Sequence, residues 1–391
     1  MDVAEIQTVL RSLELDGWLL YDFHGLNPVA RRVAGLGEDR FATRRWFGLV
    51  PAAGDPVWLH HAIEAHLFTH LPGRRVAFVG YRELQEKLRD LLKGARRVAM
   101  EYVPGGAIPY VSRVDAGTIE LVRSAAGVQV VGSADLVQFF EARWSEEGLA
   151  SHRRAARGLK EVLQATFDEV TGAVRKGRAL TEHSVQQFMV EQFKSRRLHC
   201  DPPIVAVNAH SGNPHYEPRA NDSAPLRRKD LLLPDLWCRE EAEGSIWADI
   251  TWMAYLGREV PARFREIWDI VAGARDAAVA YLKEGVSRGK RIRGADVDDV
   301  AREHVRVHGH AAHFLHRTGH SIGFEVHGNG CNIDNLETVD DRQLIPRTGF
   351  SIEPGIYLPE FGVRSEIDVY LDERGVEVTT AVQDQIIPLL A

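Results

Sequence analysis

Four carboxylates in this sequence stand where carboxylates are costly. Asp235 and Asp249 lie in the strand-like runs Leu231 to Trp237 and Ile246 to Trp252. Glu353 and Glu366 lie in the runs Gly349 to Leu358 and Gly362 to Leu371. Asp and Glu are poor strand formers, and burying their charge is unfavourable without a partner. If the polar stretch Arg239 to Ser245 is a turn centred on Ala242, Asp235 falls opposite Asp249. A tight turn at Pro359 and Glu360 likewise sets Glu353 opposite Glu366. Cross-strand neighbours have Cβ atoms about 4.5–5.5 Å apart. Two carboxylates that close repel unless a proton or a cation lies between them. Three histidines, His316, His320 and His327, sit between the two hairpins in a glycine-punctuated run. One strand acid alone commonly faces solvent and one histidine alone is ordinary. Two facing acid pairs with imidazoles between them instead describe an oxygen-rich cation site, suited to Mn²⁺ and compatible with Co²⁺ or Zn²⁺.

These groups need a scaffold, and the periodicity supplies one. Ser145 with Glu146 and Glu147 predicts a helix start, and the apolar spacing runs from there to about Val174, closed by Lys176 and Gly177. Further helices are expected from Thr181 to about Lys194, from Arg263 to Lys283 and from Ala295 to His308, with a strand at Ile204 to Val207. Before residue 144 the texture is different. A helix at Val3 to Leu13 and short apolar runs at Gly17 to Tyr21, Trp46 to Val50, Arg75 to Val79 and Arg97 to Met100 alternate with a charged helix from Leu84 to Lys93. That is α/β texture with a small sheet. Two domains are therefore expected, residues 1–143 and 144–391, which suits a chain of 391 residues.

Composition narrows the function classes. Hydrophobic residues make up 45% and charged residues 26%, so a packed globular protein is expected. A net charge of −7 disfavours a nucleic-acid binder with a broad basic face. The cysteines, Cys200, Cys238 and Cys331, form no CxxC pair, so a reducing compartment is expected. The first residues lack a basic n-region and a long apolar core, and no apolar run approaches the roughly 20 residues of a membrane span. A cytoplasmic location follows as an expectation. His60, His61, His66 and His70 have only Glu64 beside them and form no HExxH, so they are expected to be solvated helix positions. Gly35 and Gly37 lack the third glycine of a dinucleotide fingerprint.

The segments ADIT (248–251), HRTGHSIGFEVH (316–327), SIEPGIY (351–357) and GVRSEIDV (362–369), in this order, resemble the pita-bread metallopeptidases. That group includes Xaa-Pro dipeptidase (prolidase), aminopeptidase P, methionine aminopeptidase and the metal-free creatinases. The resemblance is strong from about residue 145 onward and weaker before it, where the α/β domain is like the N-terminal domain of prolidases and creatinase. It implies an α+β pita-bread catalytic domain holding two divalent metal ions, with Asp235, Asp249, His320, Glu353 and Glu366 as ligands. Asp249 and Glu366 would bridge the ions; the hairpin between Asp235 and Asp249 is longer than in most members. It further implies His215 lining the substrate pocket, His327 on the scissile carbonyl, and His316 near a bound proline. Tyr357 and Arg364 would hold carboxylates and the substrate end. Glu353 would double as proton shuttle, with metal-bound hydroxide attacking the carbonyl before proline.

The implied substrates are proline-containing dipeptides or short peptides, and the implied assembly is a homodimer in which the N-terminal domain limits substrate length. The basic stretch Arg40 to Trp46 is a candidate reader of the substrate carboxylate. Three alternatives stay open: aminopeptidase P acting on longer peptides, a non-catalytic binding protein of the same fold, and creatinase-type hydrolysis. The last two sit poorly with a complete ligand set. The histidine spacing poses a problem of its own. His320 and His327 are seven residues apart, so an unbroken strand would point them to opposite faces, and a bulge near Gly323 is expected.

Overall fold

The apolar run Gly17–Asp22 forms β1, buried on both faces, in the computed structural model, which describes residues 2–37 and 40–390. Its alternate side chains divide between two cores: Trp18 and Leu20 enter one, Leu19 and Tyr21 the other. That is the strand period of two acting on a central strand. Around it the unit Met1–Glu141 comprises α1 (Val3–Ser12), α2 (Pro28–Ala34), β2 (Trp46–Pro51), β3 (Val57–His61), β4 (Arg74–Phe78), α3 (Tyr81–Leu91), β5 (Arg97–Met100), α4 (Ala116–Ala126), β6 (Gln129–Gly132) and α5 (Ala134–Val137). The sheet order is β4-β3-β2-β1-β5-β6. Only β2 runs against its neighbours; the other paired strands are parallel. The histidine cluster is helical only in part: His66 is exposed on a 3-10 helix over Ala62–Phe68, as expected, and His70 is exposed in the turn after it. His60 and His61 end β3, and His60 is buried and stacks on Phe68. Alternation along a strand, not a helix, sets which of them is covered.

The second unit, Ala142–Ala391, opens on α6 (Glu146–Lys176). Ser145 caps it by accepting from the Gly148 N–H, and Gly177 ends it in the left-handed conformation. Its buried stripe includes Leu159, Val162, Phe167 and Val170, which pack with α7 (Glu182–Ser195) and the sheet. That sheet joins β7 (Leu198–His199), β8 (Ile204–Val207), β9 (Leu231–Glu240), β10 (Ala248–Thr251), β11 (Ala254–Tyr255) and the late β18 (Ile387–Pro388). On the other side lie α8 (Ala262–Ser287) and α9 (Gly294–Val307), packed with a sheet ordered β12 (Ser321–Ile322), β13 (Thr348–Ile352), β16 (Ile367–Asp372) and β17 (Gly375–Val378). A small ribbon, β14 (Gly355–Tyr357) with β15 (Gly362–Arg364), extends it.

The hairpin registers place the acids. In the second hairpin Ile352 pairs with Ile367, and beyond the break Gly355 pairs with Arg364. Glu353 and Glu366 are therefore in register, as the tight turn requires. The two runs are not continuous, however; each breaks at its acid, leaving Glu353 and Glu366 just outside the ladder. The first hairpin departs from expectation. Asp249 faces Trp237 and Asp235 faces Thr251, so the acids are diagonal rather than opposite. The turn, in which the Ser245 N–H meets the Ala242 carbonyl, is longer on its β10 side than a turn centred on Ala242 would be. The slip is two residues, an even number, so both acids still share one face. The two sheets meet at this face: the Glu366 N–H donates to the Thr251 carbonyl at 3.1 Å.

Candidate metal centre

Three side chains converge. Asp249 from β10, His320 just before β12 and Glu366 just before β16 offer ligand atoms lying within 4.8 Å of one another, all buried. The backbone at His320 can come this close because its neighbour is glycine: a Cβ on Gly319 would lie 1.9 Å from the Ser351 carbonyl oxygen. The Ser351 hydroxyl accepts the His320 N–H at 2.9 Å and donates to Glu353 Oε1 at 3.2 Å. One serine thus sets the positions of two candidate ligands.

The donor and acceptor pattern identifies what the cluster lacks. His320 Nδ1 lies 3.2 Å from the Ser321 carbonyl oxygen, which places its N–H there. The lone pair on Nε2 then faces Asp249 Oδ2 at 3.8 Å and Glu353 Oε1 at 3.4 Å. All three are acceptors. Asp249 Oδ1 is buried with no hydrogen-bond partner, a costly state for a polar atom. Burial and the neighbouring carboxylates push Asp249 and Glu366 well above the usual carboxylate range. Burial, only partly countered by Arg364, pushes Glu353 up to about 7, and His320 is driven well below the usual imidazole range. Convergent acceptors with an orphaned oxygen fit a hard divalent cation.

Asp235 stands beside this trio, engaged otherwise. Its Oδ2 pairs with Arg364 Nη2, and its Oδ1 lies 3.0 Å from the Thr251 hydroxyl. Thr251 also reaches Glu366 Oε2 at 2.7 Å while accepting from Arg364 Nε at 2.9 Å. One hydroxyl proton cannot satisfy both carboxylates, so the ring Asp235–Thr251–Glu366 is short of a positive centre. Arg364 continues outward. Its Nη1 donates to the Tyr357 hydroxyl at 3.2 Å, and Tyr357 lies 2.6 Å from His316 Nε2. His316 Nδ1 lies 2.7 Å from the Arg317 carbonyl oxygen, so Nε2 accepts from the phenol. Burial and the nearby guanidinium hold this imidazole neutral, down to about 3.

The cluster opens on one side. Asp249, His320 and Glu366 are buried, Glu353 is partly exposed, and His215 and His327 are exposed. His327 reaches His320, ring centroids 4.3 Å apart. The expected bulge is instead a reversal: Gly323 N–H donates to the Glu325 carbonyl and Gly328 N–H to the Ser321 carbonyl, at 3.1 and 2.7 Å. A chain that doubles back escapes the strand's alternation. His215 lies on the loop after β8, close enough for its charge to act on Asp235 and His327.

Sequence reasoning missed four positions. Thr251 and Asp368 share strand faces with Asp249 and Glu366 at a spacing of two, a signal that could have flagged both. Asp368 Oδ2 accepts the Asp249 N–H at 2.8 Å and lies 3.9 Å from His152 Nε2, both side chains buried. Glu182, buried at the start of α7, accepts from the Val207 and Ala224 N–H groups, His210 Nδ1 and the Tyr216 hydroxyl at 2.6–2.9 Å. It thereby clamps the loop that carries His215. Ser351 carried no local signal at all.

Comparison with known proteins supports this reading. The sequence pattern of metallopeptidase family M24 matches residues 150–373. An Xaa-Pro dipeptidase of Lactobacillus delbrueckii subsp. lactis is 31% identical over 226 residues, 57% of this chain and 55% of that protein. One from Pyrococcus furiosus is 30% identical over 244 residues, 62% of this chain and 64% of that one. The aligned part therefore spans less than two thirds of either relative. Among solved structures, dipeptidase PepE from Mycobacterium ulcerans superposes with a TM-score of 0.71 at 20% identity, covering 99% of this chain and 96% of that one. A prolidase from Pyrococcus horikoshii gives 0.65 at 20% identity, covering 98% and 99%. An X-prolyl aminopeptidase from Caenorhabditis elegans, described as a cytosolic enzyme with a di-nuclear active site, gives 0.66 at 17%, covering 97% and 61%. These likenesses bear out the expected pita-bread fold over nearly the whole chain.

Proposed function

Because the chain belongs to metallopeptidase family M24, matched across residues 150–373, we propose that it is an Xaa-Pro dipeptidase, cleaving the bond before a C-terminal proline. The observation that carries this is the buried set Asp249, His320 and Glu366 with an unpartnered Asp249 oxygen, opening toward Glu353, His215 and His327. The proposed cofactor is a pair of divalent ions, manganese by the oxygen-rich donor set. Asp249, Glu366, His320, Glu353 and Asp235 would hold them. Such ions would supply Lewis acidity, polarising the scissile carbonyl and making water a stronger nucleophile at neutral pH.

The chain's own residues do the rest. Glu353 sits at the partly exposed edge of the cluster, where its carboxylate can take a proton at Oε1 or Oε2 and pass it to the prolyl nitrogen. His327 and His215 are exposed beside it, where a scissile carbonyl and its flanking residues would lie. The series Arg364, Tyr357, His316 fixes a polar wall whose hydrogens are all directed, so the imidazole of His316 meets the substrate as a neutral ring. Burial of Asp249 and His320 keeps bulk water from the back of the site.

Residues 1–143 are proposed as a creatinase/prolidase-like N-terminal domain, with Arg40 to Trp46 a candidate for the substrate carboxylate. A homodimer and a cytoplasmic location complete the proposal. No described helix is long and apolar enough to cross a membrane, and the three cysteines form no disulfide. Aminopeptidase P is the rival, since the same fold is shared with the X-prolyl aminopeptidase of Caenorhabditis elegans. Turnover of Ala-Pro against Ala-Pro-Ala with Mn²⁺ separates them: the dipeptidase releases proline from the first and leaves the second intact. Faster cleavage of the tripeptide would replace the reading, and no cleavage of either would remove it.

A further inference from the structure

Strand β9 presents Asp235 on one face and a different chemistry on the other. Cys238 is fully buried there, in the core that also contains Leu232, Leu236 and Leu198. Cys200 is half-buried and packs against the same core. The short strand β7 pairs Leu198 with Glu240 and His199 with Arg239, so the next rung sets Cys200 opposite Cys238. Leu198 and Cys200 share a face by the period of two, as do Cys238 and Glu240 on the partner strand. The Cys238 thiol feels the charge of Cys200 more than that of any other group. Opposed residues in an antiparallel pair have Cα atoms about 4.5 or 5.5 Å apart. Both spacings lie inside the window of about 4.4–6.8 Å that a disulfide spans.

We infer that Cys200 and Cys238 form a cross-strand dithiol that a low-molecular-weight disulfide, such as oxidised glutathione, closes into an intramolecular bond. The Cys200 thiolate, the more accessible one, attacks a sulfur of the oxidant and releases one glutathione thiolate. The Cys238 thiolate then attacks Cys200 Sγ in the mixed disulfide and releases the second. Two protein thiols lose their protons and are oxidised together; one disulfide is reduced to two glutathiones. Burial pushes the Cys200 thiol up to about 11 and Cys238 further still, so closure is slow at neutral pH and quickens as pH rises. The new bond ties β7 to the strand that carries Asp235 from the side facing away from the acids. It stands independently of any metal.

The test treats the full-length chain with oxidised glutathione at about pH 9, where thiolates form faster. The expected product is lighter by two hydrogens, and its non-reducing digest contains one peptide pair joining Cys200 to Cys238, with Cys331 not oxidised. The oxidised chain should melt roughly 5 °C higher. Cys200→Ala and Cys238→Ala should each lose that rise, while the digest of the wild-type chain needs neither variant to fold. Glutathione left on Cys200 with Cys238 reduced, a Cys200 bond between two chains, or three unreacted thiols would each overturn the inference.

Discussion

Two buried acids in this molecule show how differently a carboxylate can be housed. Glu101, in the N-terminal unit, is wholly buried yet has only neutral donors around it. The Trp18 indole donates at 2.6 Å, the Asn27 amide at 2.7 Å and the Ser133 hydroxyl at 3.2 Å. Among the described residues no acid or imidazole bonds to its carboxylate, and burial raises it to about 7. In the C-terminal unit, Asp249 shares its space with four other carboxylates, Asp235, Glu353, Glu366 and Asp368, and a histidine lone pair, and one of its oxygens has no partner. Burial is common to both. What separates a structural acid from a candidate site is the supply of donors: complete around Glu101, deficient by at least one positive centre around Asp249.

The comparison breaks most visibly at Asp249. With Asp249→Asn, the metal-free protein should become more stable by about 1–3 kcal/mol, because the crowded buried cluster no longer has to hold this carboxyl either charged or protonated against its ordinary tendency. The wild type should gain about 2.7 kcal/mol at a hundredfold excess of Mn²⁺ over its Kd, and the variant nothing. Thermal melts with Mn²⁺ and with chelator read both effects. Equal metal-induced shifts in the two proteins would show that the ions lie elsewhere.

Glu101 should answer to pH instead. Its folded value of about 7 lies above the ordinary 4.5, so between them the folded unit keeps a proton that the unfolded chain has released. Stability is full below about pH 4.5 and declines by about 3 kcal/mol as pH rises to about 7, then levels off. Hydrogen exchange of the β1 amides across that range should show the decline in the wild type and a flat line for Glu101→Gln. A wild-type profile that rises with pH would mean that the three neutral donors outweigh desolvation.

The smallest effect belongs to Thr251. Thr251→Val keeps the shape and removes the hydroxyl that sits between Asp235, Glu366 and Arg364. Metal affinity should fall about ten- to a hundredfold, as titration calorimetry would register, with little change in the melt of the metal-free protein. Unchanged affinity would make Thr251 a packing residue.

Much of this site was legible because strand chemistry is local. The tight turn at Pro359 and Glu360 leaves one register open to Glu353 and Glu366, and the structure has it. Ser145 begins α6 through its hydroxyl and Gly177 ends it through its free access to the left-handed backbone, as expected of both residues. The first hairpin was less readable, since the length of a polar turn does not announce where its apex falls, and Asp235 lands opposite Thr251. His327 was obscured for another reason: backbone hydrogen bonds from Gly323 and Gly328 reverse the chain where alternation alone predicts a strand. The spacing of two marks the face of Asp368, but not its bond to the Asp249 N–H, nor that of Ser351 to the His320 N–H, since those partners lie far off in sequence.

The clasp at Glu182 bears on how a peptide would be received. One carboxylate gathers two backbone amides, an imidazole and a phenol from positions 207 to 224, and none of these partners belongs to the ion-binding set. The wall that carries His215 is consequently held by bonds that involve none of the candidate ion ligands. A peptide of the proposed kind would meet a finished contour there, with the entropy of ordering that loop already spent before it docks.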